Sequence, residues 1–169
     1  TSLPLSDRWI ISRLNATAID VNKALEKYEF HTAVSLLYHF FWDDFCDWYI
    51  ELKKDEITSG DADATTRIIA ILETAIRMLH PFMPYLTEEL WQKLPGTSNY
   101  MHHPAYSRAD STIMLTTFPS GDKAAIDRAA DREMGAVIEL IKKVRNIRAE
   151  MNISPAIKFV VHIATDSAM

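Results

Sequence analysis

Two arginines and an amide stand close together late in the chain, at Arg145, Asn146 and Arg148, with Lys142 and Lys143 just before them. A guanidinium is planar, permanently charged and carries a fork of donors that suits phosphates and the edges of bases. At about 100° per residue, Met134, Val137, Leu140, Ile141, Val144, Ile147 and Met151 form one wide apolar arc on a helix. Arg148 falls inside that arc and Arg145 at its edge, while Asn146 lies on the outer face beside Lys142. A guanidinium in an apolar stripe is costly unless it is paired. The two arginines therefore need a carboxylate, a carbonyl, or a ligand's phosphate or base. Asp43, Asp44 and Asp47 are available to Arg148, so the pattern reads either as an RNA footprint or as an internal ion pair.

The aspartates do not make a convincing centre of their own. Asp43 and Asp47 share a helix face and Asp44 points about 100° away, which does not converge on a metal or an acid/base pair. Trp48 and Tyr49 are candidates to stack on unpaired bases, with core packing as the competing role. His102 and His103 read as a solvated loop pair, and His80 before Pro81 as a helix end whose histidine meets terminal carbonyls. The sequence holds no Gly-rich phosphate loop, no HExxH and no Ser/His/Asp arrangement. Catalysis by this chain is not expected, and neither is a cofactor or metal.

Composition sets bounds on these readings. The chain has 169 residues, 48% of them apolar and 24% charged, which suits one globular domain. Four glycines are too few for the turns of a sandwich or barrel. A single cysteine, Cys46, leaves no internal disulfide and fits a reducing cytoplasm. Apolar stretches are broken by charges, so no membrane partner is expected. The formal charge of −5 opposes general nucleic-acid binding, and an RNA role must rest on a local basic patch.

The elements that must position the candidates are helices. Residues 1–6 read as a linker, with Ser6 or Asp7 capping a first helix through Ile10, Leu14, Ala18, Val21, Leu25 and Tyr28. A second helix, about 31–57, is so rich in aromatics that it should sit in the middle of a bundle. A third ends at His80, a short fourth covers about 87–94, and residues 95–121 form a long loop with an extended piece at Ile113–Thr117. A last helix runs from about Asp122 to Met151. Beyond it, Ile157, Phe159, Val161 and Ile163 alternate as in a strand. The expected fold is all-α, a bundle of about five helices over 7–152. Residues 153–169 would begin a small α/β element that is cut short.

Four segments resemble one family. DRWIISRLN from Asp7, FCDWYIELKK from Phe45, HPFMPYLTEELWQKLP from His80 and VRNIRAEMNISP from Val144 are similar to the anticodon-binding domain of class Ia aminoacyl-tRNA synthetases. The last segment is closer to the valine-specific members than to the isoleucine, leucine or methionine ones. The resemblance implies a helical bundle that receives the anticodon stem-loop of a tRNA, with valine tRNA as partner. It places Arg145, Asn146 and Arg148 on the anticodon side, adds Arg13 and Asn15 from the first helix, and includes Trp48 and Tyr49. ATP and magnesium would serve the catalytic part of the full-length enzyme, and catalytic and editing domains of the same parent chain would be partners too. Neither a HIGH-type nor a KMSKS-type signature occurs here. A synthetase of another specificity, isoleucyl or leucyl, and a helical protein-binding module without RNA are the alternatives.

Overall fold

The computed structural model describes residues 3–95, 112–154, 157–158 and 160–162, and among them the regular structure is helical. Helix α1 covers Leu5–Glu26 and lays Ile10, Leu14, Ala18 and Val21 against the core. It starts directly behind Pro4, one to two residues before either expected cap. Asp7, read as a capping residue, is instead fully buried.

The expected second helix is three pieces. Helix α2, Phe30–Tyr38, continues as a π-helical stretch, His39–Ile50, and α3 follows at Lys54–Thr58. Phe40 and Phe45, five residues apart, would lie about 140° from each other on an ordinary helix. The wider i→i+5 winding lets both enter the core, where each is only 1% exposed. Phe41, Phe45 and Tyr49 then follow one another with ring centroids 6.0 Å apart. This helix is not enclosed on all sides, as its aromatic content had implied. Tyr38 and Trp42 stack parallel on its outer face and remain half exposed.

Helix α4, Ala62–Leu79, is capped by Asp61, whose carboxylate accepts from the Asp63 and Ala64 amides. Helix α5, Pro84–Lys93, begins earlier than expected because a proline suits a first helical turn. His80 does not reach terminal carbonyls; its Nδ1 meets the Thr87 hydroxyl at 2.7 Å and so ties α4 to α5. Trp91 donates its indole N–H to Glu73 from a buried position. His102 and His103 lie outside the described residues. Where the chain is next described, Glu88 accepts from the Thr112 hydroxyl at 2.6 Å and from the Ile113 amide at 3.2 Å. Ile113–Leu115 is a 3₁₀ turn rather than an extended piece, because Thr112 turns back to cap it.

Gly121 has φ +75°, and a Cβ there would stand 2.6 Å from the Asn15 carbonyl oxygen, so only glycine fits this close approach. A 3₁₀ turn at Lys123–Ala125 precedes α6, Arg128–Glu150, which begins later than expected. Asp127 caps α6 through the Ala130 amide, pairs with Arg8 at 2.9 Å, and donates its own amide to Ser12. The Ala130 amide and Arg8 hold the Asp127 carboxyl below the usual range despite some burial. Helices α1, α3 and α6 end alike, with Tyr28, Gly60 and Asn152 at positive φ and a backbone bond spanning five residues. That left-handed closure satisfies carbonyls the last turn leaves open.

No strand forms among the described residues of 157–162, and Phe159 and Ile163 lie outside them. The alternation of apolar side chains is real, but a strand needs a neighbour to share its hydrogen bonds. No helix among the described residues is long and apolar enough to cross a membrane.

Asp7 anchors the bundle. Its Oδ1 accepts the Tyr49 hydroxyl at 2.8 Å and lies 3.0 Å from Lys53 Nζ, while its Oδ2 lies 2.9 Å from Arg67 Nε. Lys53 is itself buried and reaches both oxygens of Glu56 at 3.0 Å. Burial and the neighbouring carboxylate push the Tyr49 hydroxyl well above its ordinary range. Tyr49 therefore belongs to the joint between α1, the π-helical stretch and α4.

Candidate nucleic-acid interface

Helix α6 changes character along its length. Ala130 and Met134 are buried and Ile138 and Ile141 pack against the same core, so the first half is held by the bundle. The apolar arc is not covered as a whole. Val137, Leu140, Ile147 and Met151 are exposed by 36–68%, with the largest values in the last turns. Arg148 is consequently not enclosed in an apolar stripe, and no aspartate of the second helix takes it. Its Nη2 donates to the Ser154 carbonyl at 2.7 Å and to the Ile157 carbonyl at 2.8 Å. Those bonds tie Ser154 and Ile157 to the end of the helix.

Arg145 sits one turn earlier, with its guanidinium carbon 5.1 Å from the centroid of the Trp48 ring. Trp48 is 7% exposed, so it forms a fixed floor set in the core. A cation over an aromatic face is attracted without being neutralised, and the donors of a guanidinium lie in its own plane. Among the described residues no carboxylate lies within ion-pair distance of Arg145. Its donors can therefore meet an outside acceptor while the ring fixes the group's position. Arg145, Arg148, Ala149, Asn152, Ile153 and Ser154 line one open concavity. Lys142 and Asn146 are exposed on the adjoining face of the same helix, whereas Lys143 pairs with Glu139 at 2.8 Å.

The remaining candidates do not line that concavity and have partners of their own. Arg13 pairs with Asp44 at 2.7 Å, beside a carboxyl that burial pushes up against the pull of that arginine. Asn15 is a brace: its amide nitrogen donates to the Ile11 carbonyl and its oxygen accepts from the Asp122 amide, both at 2.8 Å. Asp43 pairs with His39 at 2.8 Å on the exposed side. Of the eight residues proposed from sequence, Lys142, Arg145, Asn146 and Arg148 share one helix end, with Trp48 beneath it. Asn152 and Ser154 join the concavity unforeseen. The available signal for Asn152 was an asparagine just past the last helical turn, a position that favours left-handed backbone.

The family described as the anticodon-binding domain of tRNA ligase matches residues 7–164. A valine–tRNA ligase of Thermotoga maritima is 40% identical over 163 residues, which is 96% of this chain and 18% of that protein. One from Chromobacterium violaceum is 41% identical over 175 residues, 99% of this chain and 18% of the relative. One from Syntrophotalea carbinolica is 45% identical over 157 residues, 90% of this chain and 16% of the relative. The chain thus spans less than a fifth of the length of the ligases it matches. All four motifs that carried the resemblance lie within or across the matched region, and three of them supply the Asp7, Thr87 and Trp48 contacts described above. The chain belongs to the family of anticodon-binding domains of tRNA ligases.

Proposed function

We propose that this domain receives the anticodon loop of valine tRNA at the distal end of α6, as the recognition part of a longer ligase that joins valine to that tRNA in the cytoplasm. The observation that carries this reading is Arg145, exposed, with its guanidinium carbon held over the Trp48 ring and no carboxylate among the described residues paired with it. A guanidinium so placed can give paired hydrogen bonds to a base edge or a phosphate. Asn146 beside it offers both a donor and an acceptor, which suits reading a base. Lys142 adds a point charge for the RNA backbone, and Asn152 and Ser154 contribute polar groups to the far wall. The valine specificity rests on the valine–tRNA ligases that this chain resembles. ATP and magnesium would supply activation of the amino acid in the catalytic part of that protein, outside these 169 residues. The catalytic and editing parts would be its intramolecular partners.

The test is a titration of the longer ligase with valine tRNA and with the same tRNA carrying a changed anticodon, from low to moderate salt. The intact anticodon should bind about tenfold or more tightly, and affinity should fall with salt as phosphate contacts are lost. Equal affinity for both tRNAs would overturn the reading.

A further inference from the structure

A second concave surface shares no residue with the Arg145 concavity. Helix α2 and the start of its π-helical continuation make one wall, and α4 with α5 makes the other. Val34, Tyr38, Trp42, Met83, Leu86 and Leu90 stand around its opening, each between 36% and 55% exposed. Leu37 and Ile76, at 1% and 0% exposed, form its floor. Among the described residues no charged side chain lines it. Soluble proteins rarely leave a contiguous apolar surface of this kind in water unless something covers it, because each Å² costs about 25 cal/mol.

The chemistry of the lining selects the occupant. An RNA strand brings a phosphate at every nucleotide and needs cations to meet them, and none of the described residues lining this groove is one. The Tyr38–Trp42 stack offers a face to a base but nothing to its backbone. An aliphatic or aromatic ridge of protein matches the groove on every side, as in the docking of an amphipathic helix between two helices. More than four-fifths of each valine–tRNA ligase in the comparison lies beyond the stretch aligned with this chain. We infer that the groove between α2 and α4–α5 seats an apolar ridge from the flanking part of the same longer polypeptide. The domain would then be anchored through one surface and free to meet RNA through another. This inference rests on reading the chain as one part of such a ligase.

The test is cysteine labelling with a maleimide, read peptide by peptide by mass spectrometry. Leu86→Cys reports on the groove, with Leu90→Cys as a second position there. Met114→Cys, 72% exposed on the 3₁₀ turn, is the reference. The labelling rate at 86 relative to 114 should fall at least tenfold between the 169-residue chain and the longer ligase. A ratio unchanged within twofold would overturn the inference. Slow labelling at 86 in the 169-residue chain would place a segment of this chain in the groove, and protection that grows with concentration would place a second copy there. Either result also overturns it. The readout involves no RNA, so its failure leaves the anticodon preference standing, and loss of that preference leaves the labelling ratio standing.

Discussion

Asp7→Asn should cost roughly 3–5 kcal/mol of stability, because it leaves a buried lysine and a partly buried arginine without their common anion. Lys53 is 1% exposed and keeps only Glu56, while Arg67 loses its partner at 2.9 Å. The Tyr49 hydroxyl, which donates to the same carboxylate, would meet a weaker neutral acceptor. Exposed pairs offer the contrast. Glu89→Gln removes an ion pair with Lys93 on the surface of α5 and should change stability by less than about 1 kcal/mol. Urea unfolding of both variants measures the difference, and an Asp7→Asn loss as small as the Glu89→Gln loss would contradict the role given to the joint.

Arg145→Ala should weaken valine tRNA binding by about 5- to 150-fold, the range for losing a paired contact to a base, with the urea midpoint nearly unchanged. The side chain lies over Trp48 and its residue is exposed, so its removal uncovers one ring face and opens no core cavity. Arg145→Lys keeps the charge but loses the planar fork of donors, and should fall between wild type and alanine. In the longer ligase the loss should appear in kcat/KM for tRNA and leave valine-dependent ATP–pyrophosphate exchange unaltered. Full tRNA affinity in Arg145→Ala would remove Arg145 from the interface.

The helices were legible because their apolar residues recur at three and four, and α1, α4 and the core half of α6 follow that period closely. What periodicity cannot supply is the neighbour. Met134 and Ile147 fall on one predicted arc, yet only the first meets the bundle. The same limit applies to the expected strand, whose alternation is visible but whose partner is not. Asp7 near a helix start reads locally as a cap, whereas its partners come from later segments. The π-helical stretch was hidden for a different reason: residues spaced by five look irregular against a period of 3.6. At the candidate site the four polar residues of α6 could be read from type and position. Trp48 as their floor, and the partners that Arg13, Asn15 and Tyr49 find in Asp44, Asp122 and Asp7, required the contacts themselves.

The central claim is that the exposed end of α6 faces the anticodon loop. The most direct measurement puts a photoreactive side chain at position 146 of the longer ligase and maps which nucleotides of bound valine tRNA it captures. Capture confined to the anticodon loop is the expected result. Capture in the acceptor arm, or none at saturating tRNA, would contradict it.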